Sequence, residues 1–508
     1  MIVKTFLLGA ALILIYKLAV EVLRRVSSPL NDLPGPKPSH WFFGNFREIG
    51  ASNHAVVGKW AARWGPTVSF YSVFRDKALC TIDHKAVNHV LTHSDIYQKP
   101  ASQRDRVALA LGNGVLLAEG DAHRQQRKVL LRDVWSGLIA DSKDAPTRVE
   151  ATIWLSRATL DIIGQAGFNY DFSSLDTTKE PGELMKAFGS LFKTPGLGGL
   201  RIARLFVPIS RFLPTAQMKR LKLAQKAMLR IGAGLLADAQ AAQASGDKSG
   251  AQGRDLLSLL VHANTAEDIP PSQRLSDADV IAQVPTFLIA GHETTANATA
   301  WALFRLTQAP AVQRALRAEL LQVPTENPSM EQLNGLSYLD YVVREVLRLH
   351  APVPLLMREA VEADVIPLDT PVVDKYGRMR DSIRINKGDT VLMSVKTINA
   401  SPKTWGPDAL EFKPERWESI PESAHHVPGV WANQLTFSTG PRACIGYKFS
   451  IVETKALLFA LIRAFDFELA VPGNDIQGSA STLVQRPFVV SEREKGVQMP
   501  LLIKPYVQ

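Results

Sequence analysis

Cysteine is nearly absent: 508 residues hold two, Cys80 and Cys444. Two thiols cannot build a disulfide framework. Their scarcity fits a reducing compartment such as the cytosolic side of a membrane. No second cysteine and no nearby histidine accompanies Cys444, so it lacks the companions a zinc site needs. An acidic excess is also missing, because 58 Lys and Arg stand against 49 Asp and Glu, a net charge of +9. The basic residues are scattered. They read as a solvated surface and not as a nucleic-acid groove, although such a face could steer an acidic protein. There is no internal repeat and no clear linker after Pro38. With 46% apolar and 21% charged residues the composition is globular, not disordered.

One apolar run stands out, FLLGAALILIYKLAVEVL, Phe6 to Leu23, followed by Arg24 and Arg25. A membrane-spanning helix needs about 20 mainly apolar residues, so this one is adequate but short. Lys17, near its end, is able to snorkel to the headgroups. No small-residue cleavage site follows, which argues against a signal peptide. The arginine pair predicts a cytosolic globule by the positive-inside rule, with Lys4 pulling weakly the other way. Proline in LPGPKP, Leu33 to Pro38, predicts an extended spacer. The expected organisation is an anchor over 1–25, a Pro-rich hinge over 26–38 and one globular domain over 39–508.

From Ser39 on, periodicity predicts a mainly helical chain with small sheets. Helices are expected in AVVGKWAARWG, ending at Gly65, and in AVNHVLTHS. Longer ones are expected over Arg148–Gln165, Thr215–Ala244 and Ser276–Leu306. TVSFYSVFRDKALCTID reads as a strand pair turning at Arg75-Asp76-Lys77. Ser245 to Gly253 reads as a polar surface loop, and short strands are expected between Pro352 and Val391.

The stretch from Leu275 to Leu306 is too apolar for a surface helix, so it should run through the core. Ser276 and Asp279 form a capping box flanked by Leu275 and Val280. Pro285 is expected to kink the helix without ending it. AGHETT, Ala290 to Thr295, places the carboxylate of Glu293 and two hydroxyls inside it. Thr294 is able to bond back to the carbonyl of Ala290 and open the ladder, while Gly291 removes a side chain. The expectation is a notch edged by an acid and an alcohol; a kinked core helix with a solvated Glu293 is the plainer alternative. Glu345 and Arg348 lie one turn apart and can pair. If Arg416 of FKPERW reaches them, the three form a buried structural network.

Cys444 sits in FSTGPRACIGYKFS, Phe437 to Ser450. A thiolate suits a metal already held on four sides, as in haem, which needs one protein ligand. Gly446 would let backbone amides approach the sulfur, and a helix starting near Ile445 would offer its positive end. Phe437 could shield the sulfur, and Arg442 could pair with a haem carboxylate. A small buried hydrophobe is the other reading, and the cysteine alone leaves both open.

Together these motifs resemble the cytochrome P-450 superfamily, specifically its eukaryotic microsomal haem-thiolate monooxygenases. The pattern Phe-x-x-Gly-x-Arg-x-Cys-x-Gly is met at Phe437, Gly440, Arg442, Cys444 and Gly446. Ala290 to Thr295 match the oxygen-activation element. Glu345 with Arg348 match Glu-x-x-Arg, and Pro414 to Trp417 match the Pro-Glu-Arg-aromatic element, with tryptophan in the usual Phe place. The resemblance implies the cytochrome P-450 fold after one N-terminal transmembrane helix, and a heme b (iron protoporphyrin IX) cofactor with Cys444 as metal ligand. It implies Glu293, Thr294 and Gly291 at the oxygen site. Arg127, Arg358 and Arg442 would hold the haem carboxylates, with His123 where the family has Trp. Residues from Tyr97 to Leu117 and from Phe188 to Pro214 would roof a pocket for a lipophilic substrate.

The implied reaction inserts one oxygen atom from O2 using electrons from NADPH-cytochrome P-450 reductase. The implied place is the endoplasmic reticulum membrane, single-pass, in contact with membrane lipid and facing the cytosol. Nucleic acid is not an expected partner. Fungal members of similar style act on terpenoids and other secondary metabolites. Two other classes remain: a reductase-independent haem-thiolate peroxide isomerase or lyase, and a non-catalytic haem-binding protein. Reductase docking is expected on a basic face formed by Arg124, Arg127, Lys128, Lys448 and Lys455, the last two sharing a helical face at a seven-residue spacing.

Overall fold

The computed structural model describes residues 22–51, 55–100, 147–168, 172–175, 216–244, 256–265, 274–479 and 484–506, together with Tyr16, Ala19, Gln103 and Tyr170. His123, Arg124, Arg127, Lys128, most of the Phe6–Leu23 run and nearly all of the expected pocket roof lie outside the described residues. Among the described residues no helix is long and apolar enough to cross a membrane. The chain forms two compact units interleaved in sequence.

The first unit comprises Met1–Pro100, Pro354–Ala409 and Pro421–Ala443. Its main sheet has five strands, in the order Thr67–Tyr71, Lys77–Thr81, Thr390–Met393, Leu356–Ala360 and Tyr97–Gln98. The expected strand pair is the first two, antiparallel with Val68 opposite Cys80. Lys77–Thr81 then runs parallel to Thr390–Met393. Apolar side chains of the sheet, Val68, Phe70, Ala78, Cys80 and Leu392, pack on Ile49, Val56, Val57 and Trp60. Cys80 is therefore core, and burial pushes its thiol up to about 12. A separate ribbon pairs Asp364–Val373 with Met379–Ile385. Asp83, which caps the helix His84–Thr92, also accepts from the backbone N–H groups of Asp369 and Thr370 on that ribbon.

The second unit comprises Ala101–Val353, Leu410–Ile420 and Cys444–Gln508. Its axis is the 32-residue helix Asp277–Gln308, with the Ser276–Asp279 capping box in place. The helix is buried along most of its length and continues past Pro285. Leu288 and Ile289 join an apolar cluster with Leu160 and Ile163 of helix Ala151–Phe168, Met228 of helix Ala216–Ala244 and Phe449 of helix Tyr447–Ala464. The expected helix over Arg148–Gln165 starts later, because Thr147–Glu150 is a strand. It pairs with Pro500–Pro505, which also pairs with Phe465–Leu469. Local periodicity holds no trace of so distant a partner. A hairpin of Ile476–Ser479 and Arg486–Val489 completes the unit.

Candidate functional site

The Glu-x-x-Arg element builds a closed network within the second unit. Arg348 meets Glu345 with two parallel bonds, Nε to Oε2 at 2.8 Å and Nη2 to Oε1 at 2.7 Å, and both side chains are fully buried. Arg416 Nε adds a contact to Oε1 at 3.3 Å, as the sequence suggests. Two donors escaped sequence reasoning: the backbone N–H of Lys413 on Oε1 at 3.1 Å, and the Trp417 indole on Oε2 at 3.1 Å. A buried carboxylate costs several kcal/mol unless its lone pairs are filled, and here both oxygens are. The tryptophan in place of phenylalanine supplies a donor that phenylalanine lacks.

The segment leading to Cys444 belongs to the first unit. Arg442 donates through Nη1 to the carbonyl of Tyr97 and through Nη2 to that of Ser94, both at 2.9 Å. Gly440 has φ +70°, and a methyl group there would stand 2.5 Å from the carbonyl oxygen of Leu91, so no other residue fits. Phe437 packs edge-on against Trp431 at 5.6 Å.

Cys444 itself is exposed, unlike Cys80. That removes the reading of Cys444 as a small buried hydrophobe. The helix after it begins at Tyr447, with Gly446 as its N-cap, two residues later than expected. Gly446 has an ordinary φ of −93°. A methyl group added there would meet no described atom within 4 Å. Neither backbone nor packing calls for glycine, so the open space fits a large flat group lying against the thiol.

Arg358, in the first unit, is 6% exposed and donates to the carbonyl of Met357. No acid among the described residues pairs with it, and burial pulls its guanidinium down to about 10. A desolvated cation without an acid is what a bound carboxylate would complete. Within the second unit, the exposed Cys444 thiol and the room beside Gly446 are what a haem would need of its ligand loop.

The long helix carries the acid and the alcohol as expected. Thr294 Oγ1 donates to the carbonyl of Ala290 at 2.7 Å, and Thr295 Oγ1 to that of Gly291 at 3.1 Å. Thr159 donates to the carbonyl of His292 at 3.0 Å from the neighbouring helix. A Cβ on Gly291 would stand 3.0 Å from Ile163, so this glycine admits the Ala151–Phe168 helix.

Glu293 is ion-paired and keeps only 14% of its side chain exposed. Its Oε1 lies 2.5 Å from Arg486 Nε, and its Oε2 lies 3.8 Å from His292 Nε2. His292 is buried, its Nδ1–H donates to the carbonyl of Leu288, and desolvation holds its pKa below the usual imidazole value. One turn on, Asn297 Nδ2 donates to the carbonyl of Gln485 at 2.5 Å. Glu453, from helix Tyr447–Ala464, is 5% exposed with the Thr295 hydroxyl facing it. Burial raises its pKa well above the carboxylate range. Neither Arg486 nor Glu453 was singled out from sequence. An arginine in an apolar hairpin and a glutamate inside the apolar run of the C-terminal helix were the signals.

The expected docking face needs correction. Lys448 is exposed. Lys455 is 2% exposed, bonded to Asp340 at 2.8 Å and to Asn334 at 3.3 Å. It opens the apolar run KALLFALI and is a buried ion-pair partner, not a surface charge.

Comparison with known proteins places this geometry. The family model described as cytochrome P-450 matches residues 34–490. Cytochrome P-450 monooxygenase 205 of Postia placenta is 48% identical, covering 98% of this chain and 97% of its own length. Monooxygenase 128 of the same fungus is 47% identical over 97% and 96%. Ganoderic acid synthetase of Ganoderma lucidum is 34% identical over 87% and 89%.

Proposed function

The chain belongs to the cytochrome P-450 family and is a haem-dependent monooxygenase; from that premise we propose that it draws electrons from NADPH-cytochrome P-450 reductase and places one atom of O2 on a lipophilic small molecule. The observation that carries this reading is the exposed Cys444 thiol followed by the open space at Gly446. The cofactor is assigned as heme b, which the Cys444 thiolate would hold. Arg358 and Arg442 are assigned to its carboxylates, joined by His123 and Arg127. Phe437 is assigned to the same cofactor by its place in the family motif. When bound, the group would supply the oxygen chemistry, and a thiolate ligand would enrich it in electron density.

The chain's own residues manage protons. Thr294 spends its hydroxyl hydrogen on the Ala290 carbonyl, so its oxygen is left to accept a proton-bearing group. Glu293, the residue before it, is the partly exposed carboxylate able to exchange protons with solvent. Gly291 keeps the helix close to its neighbour so that this pair is presented in a fixed position.

The substrate is assigned to the secondary metabolites, on the strength of a relative whose name says that it makes ganoderic acid. The protein is assigned to the endoplasmic reticulum membrane, anchored by Phe6–Leu23 with residues 39–508 in the cytosol. Support comes from exposed apolar side chains at the end of the run, Val22 and Leu23, and after it, Val26 and Trp41. The full-length protein with reductase, NADPH and isotopic O2, offered a panel of lipophilic compounds, should give a product carrying one labelled oxygen. Product formed without NADPH would instead favour peroxide rearrangement.

A further inference from the structure

We propose that Arg486 is a positioning residue for Glu293, and that the Arg486–Glu293 ion pair sets how the electrons taken from NADPH divide between peroxide and water. This rests on the monooxygenase reading above. Four residues define the device, two on the long helix and two at the start of the second hairpin strand. Arg486 Nε meets Glu293 Oε1 at 2.5 Å, and Asn297 Nδ2 meets the carbonyl of Gln485 at 2.5 Å. Glu293 and Asn297 are four residues apart and share a helix face. Gln485 and Arg486 are adjacent, so the strand is stapled to the helix at two successive turns. The Gln485 N–H donates in turn to the carbonyl of Pro352 at 2.8 Å, which fixes the strand's entry. Gln485 and Arg486 are 3% and 5% exposed, so water screens these contacts little.

The chemistry follows from the two carboxylate oxygens. Oε1 faces a guanidinium and Oε2 faces the buried imidazole of His292 at 3.8 Å. A carboxylate held at one end keeps one rotamer, and its other oxygen keeps one direction. Proton delivery beside Thr294 depends on that direction, because a donor misplaced by about 1 Å can cost a hundredfold in rate. With Arg486 removed, Glu293 is free to swing, protons arrive at the wrong position, and reduced oxygen leaves as peroxide rather than as water or product. The balance holds: NADPH supplies two electrons, and O2 takes two electrons and two protons to become hydrogen peroxide.

The test uses the full-length haem-loaded protein with its reductase, without added substrate, and reads peroxide released per NADPH consumed. Arg486→Gln should raise that ratio by about threefold or more, with Arg486→Lys restoring most of the wild-type value. In a Glu293→Gln background, Arg486→Gln should change nothing further, since it acts through Glu293. The solvent deuterium isotope effect on NADPH consumption should change in Arg486→Gln but not between the two Glu293→Gln proteins. Amide exchange of residues 286–297 and the reduced carbon-monoxide spectrum report whether fold and haem are kept. An unchanged or lowered ratio, or an equal rise in both backgrounds, overturns the proposal. A wild-type protein that takes no electrons from NADPH would sink the monooxygenase reading instead.

Discussion

The indole of Trp417 donates its one hydrogen bond to Oε2 of Glu345, 3.1 Å away, inside a network where Glu345 is fully buried. Trp417→Phe keeps the aromatic packing and removes that donor. It should cost about 1–2 kcal/mol, the scale of one hydrogen bond to a charged group. Glu345→Ala strands two arginines and should cost about 3–5 kcal/mol. Urea unfolding of the three proteins checks the order. Equal stability of Trp417→Phe and wild type would show that the indole adds nothing.

Thr294→Ala removes the hydroxyl bonded to the Ala290 carbonyl. Haem content and spectral substrate binding should stay, while peroxide per NADPH rises, because a positioned proton-transfer group is lost. A product yield per NADPH equal to wild type would assign Thr294 to helix structure alone.

Glu453 carries a pH signature. Its folded pKa is raised well above 4.5 by burial. The folded chain therefore holds this proton more tightly than the unfolded chain. The contribution is full below about pH 4.5 and is lost as pH rises toward the folded value, at about 1.4 kcal/mol per pH unit. Glu453→Gln abolishes that slope. The unfolding free energy of the variant minus that of wild type should grow from pH 5 to pH 8. A difference constant with pH would mean that the carboxyl is not held protonated.

Lys448 and Lys455 should part company. Lys448→Glu, at an exposed site, should slow electron transfer from the reductase, most at low salt. Peroxide-driven turnover should be unchanged. Lys455→Glu turns a buried partner of Asp340 into a second acid, and should cost about 3 kcal/mol or more of stability. A fully stable Lys455→Glu would contradict its buried pairing.

Local signals in the sequence reached far. Ser276 and Asp279 announced the start of the long helix, and it begins there. The Thr294–Ala290 bond follows from a four-residue spacing alone. The Glu345, Arg348 and Arg416 network was legible because its members lie in two recognisable elements. What stayed hidden depends on distant partners. Glu293 is met by Arg486 from a hairpin near the C-terminus. The strand Thr147–Glu150 exists because Pro500–Pro505 pairs with it. Lys455 lies on a helix buried on more than one side, so a shared face with Lys448 did not imply shared exposure. Gly291 answers to Ile163 on another helix, a contact that no reading of AGHETT contains.

The account stands or falls on Cys444 as the haem ligand. The reduced carbon-monoxide complex of the wild-type protein should show the strongly red-shifted Soret band of a thiolate-bound haem. Cys444→Ala should lose that band entirely, while Cys80→Ala, altering a buried core thiol, should keep it. A Cys444→Ala protein that retains the red-shifted band would contradict the assignment.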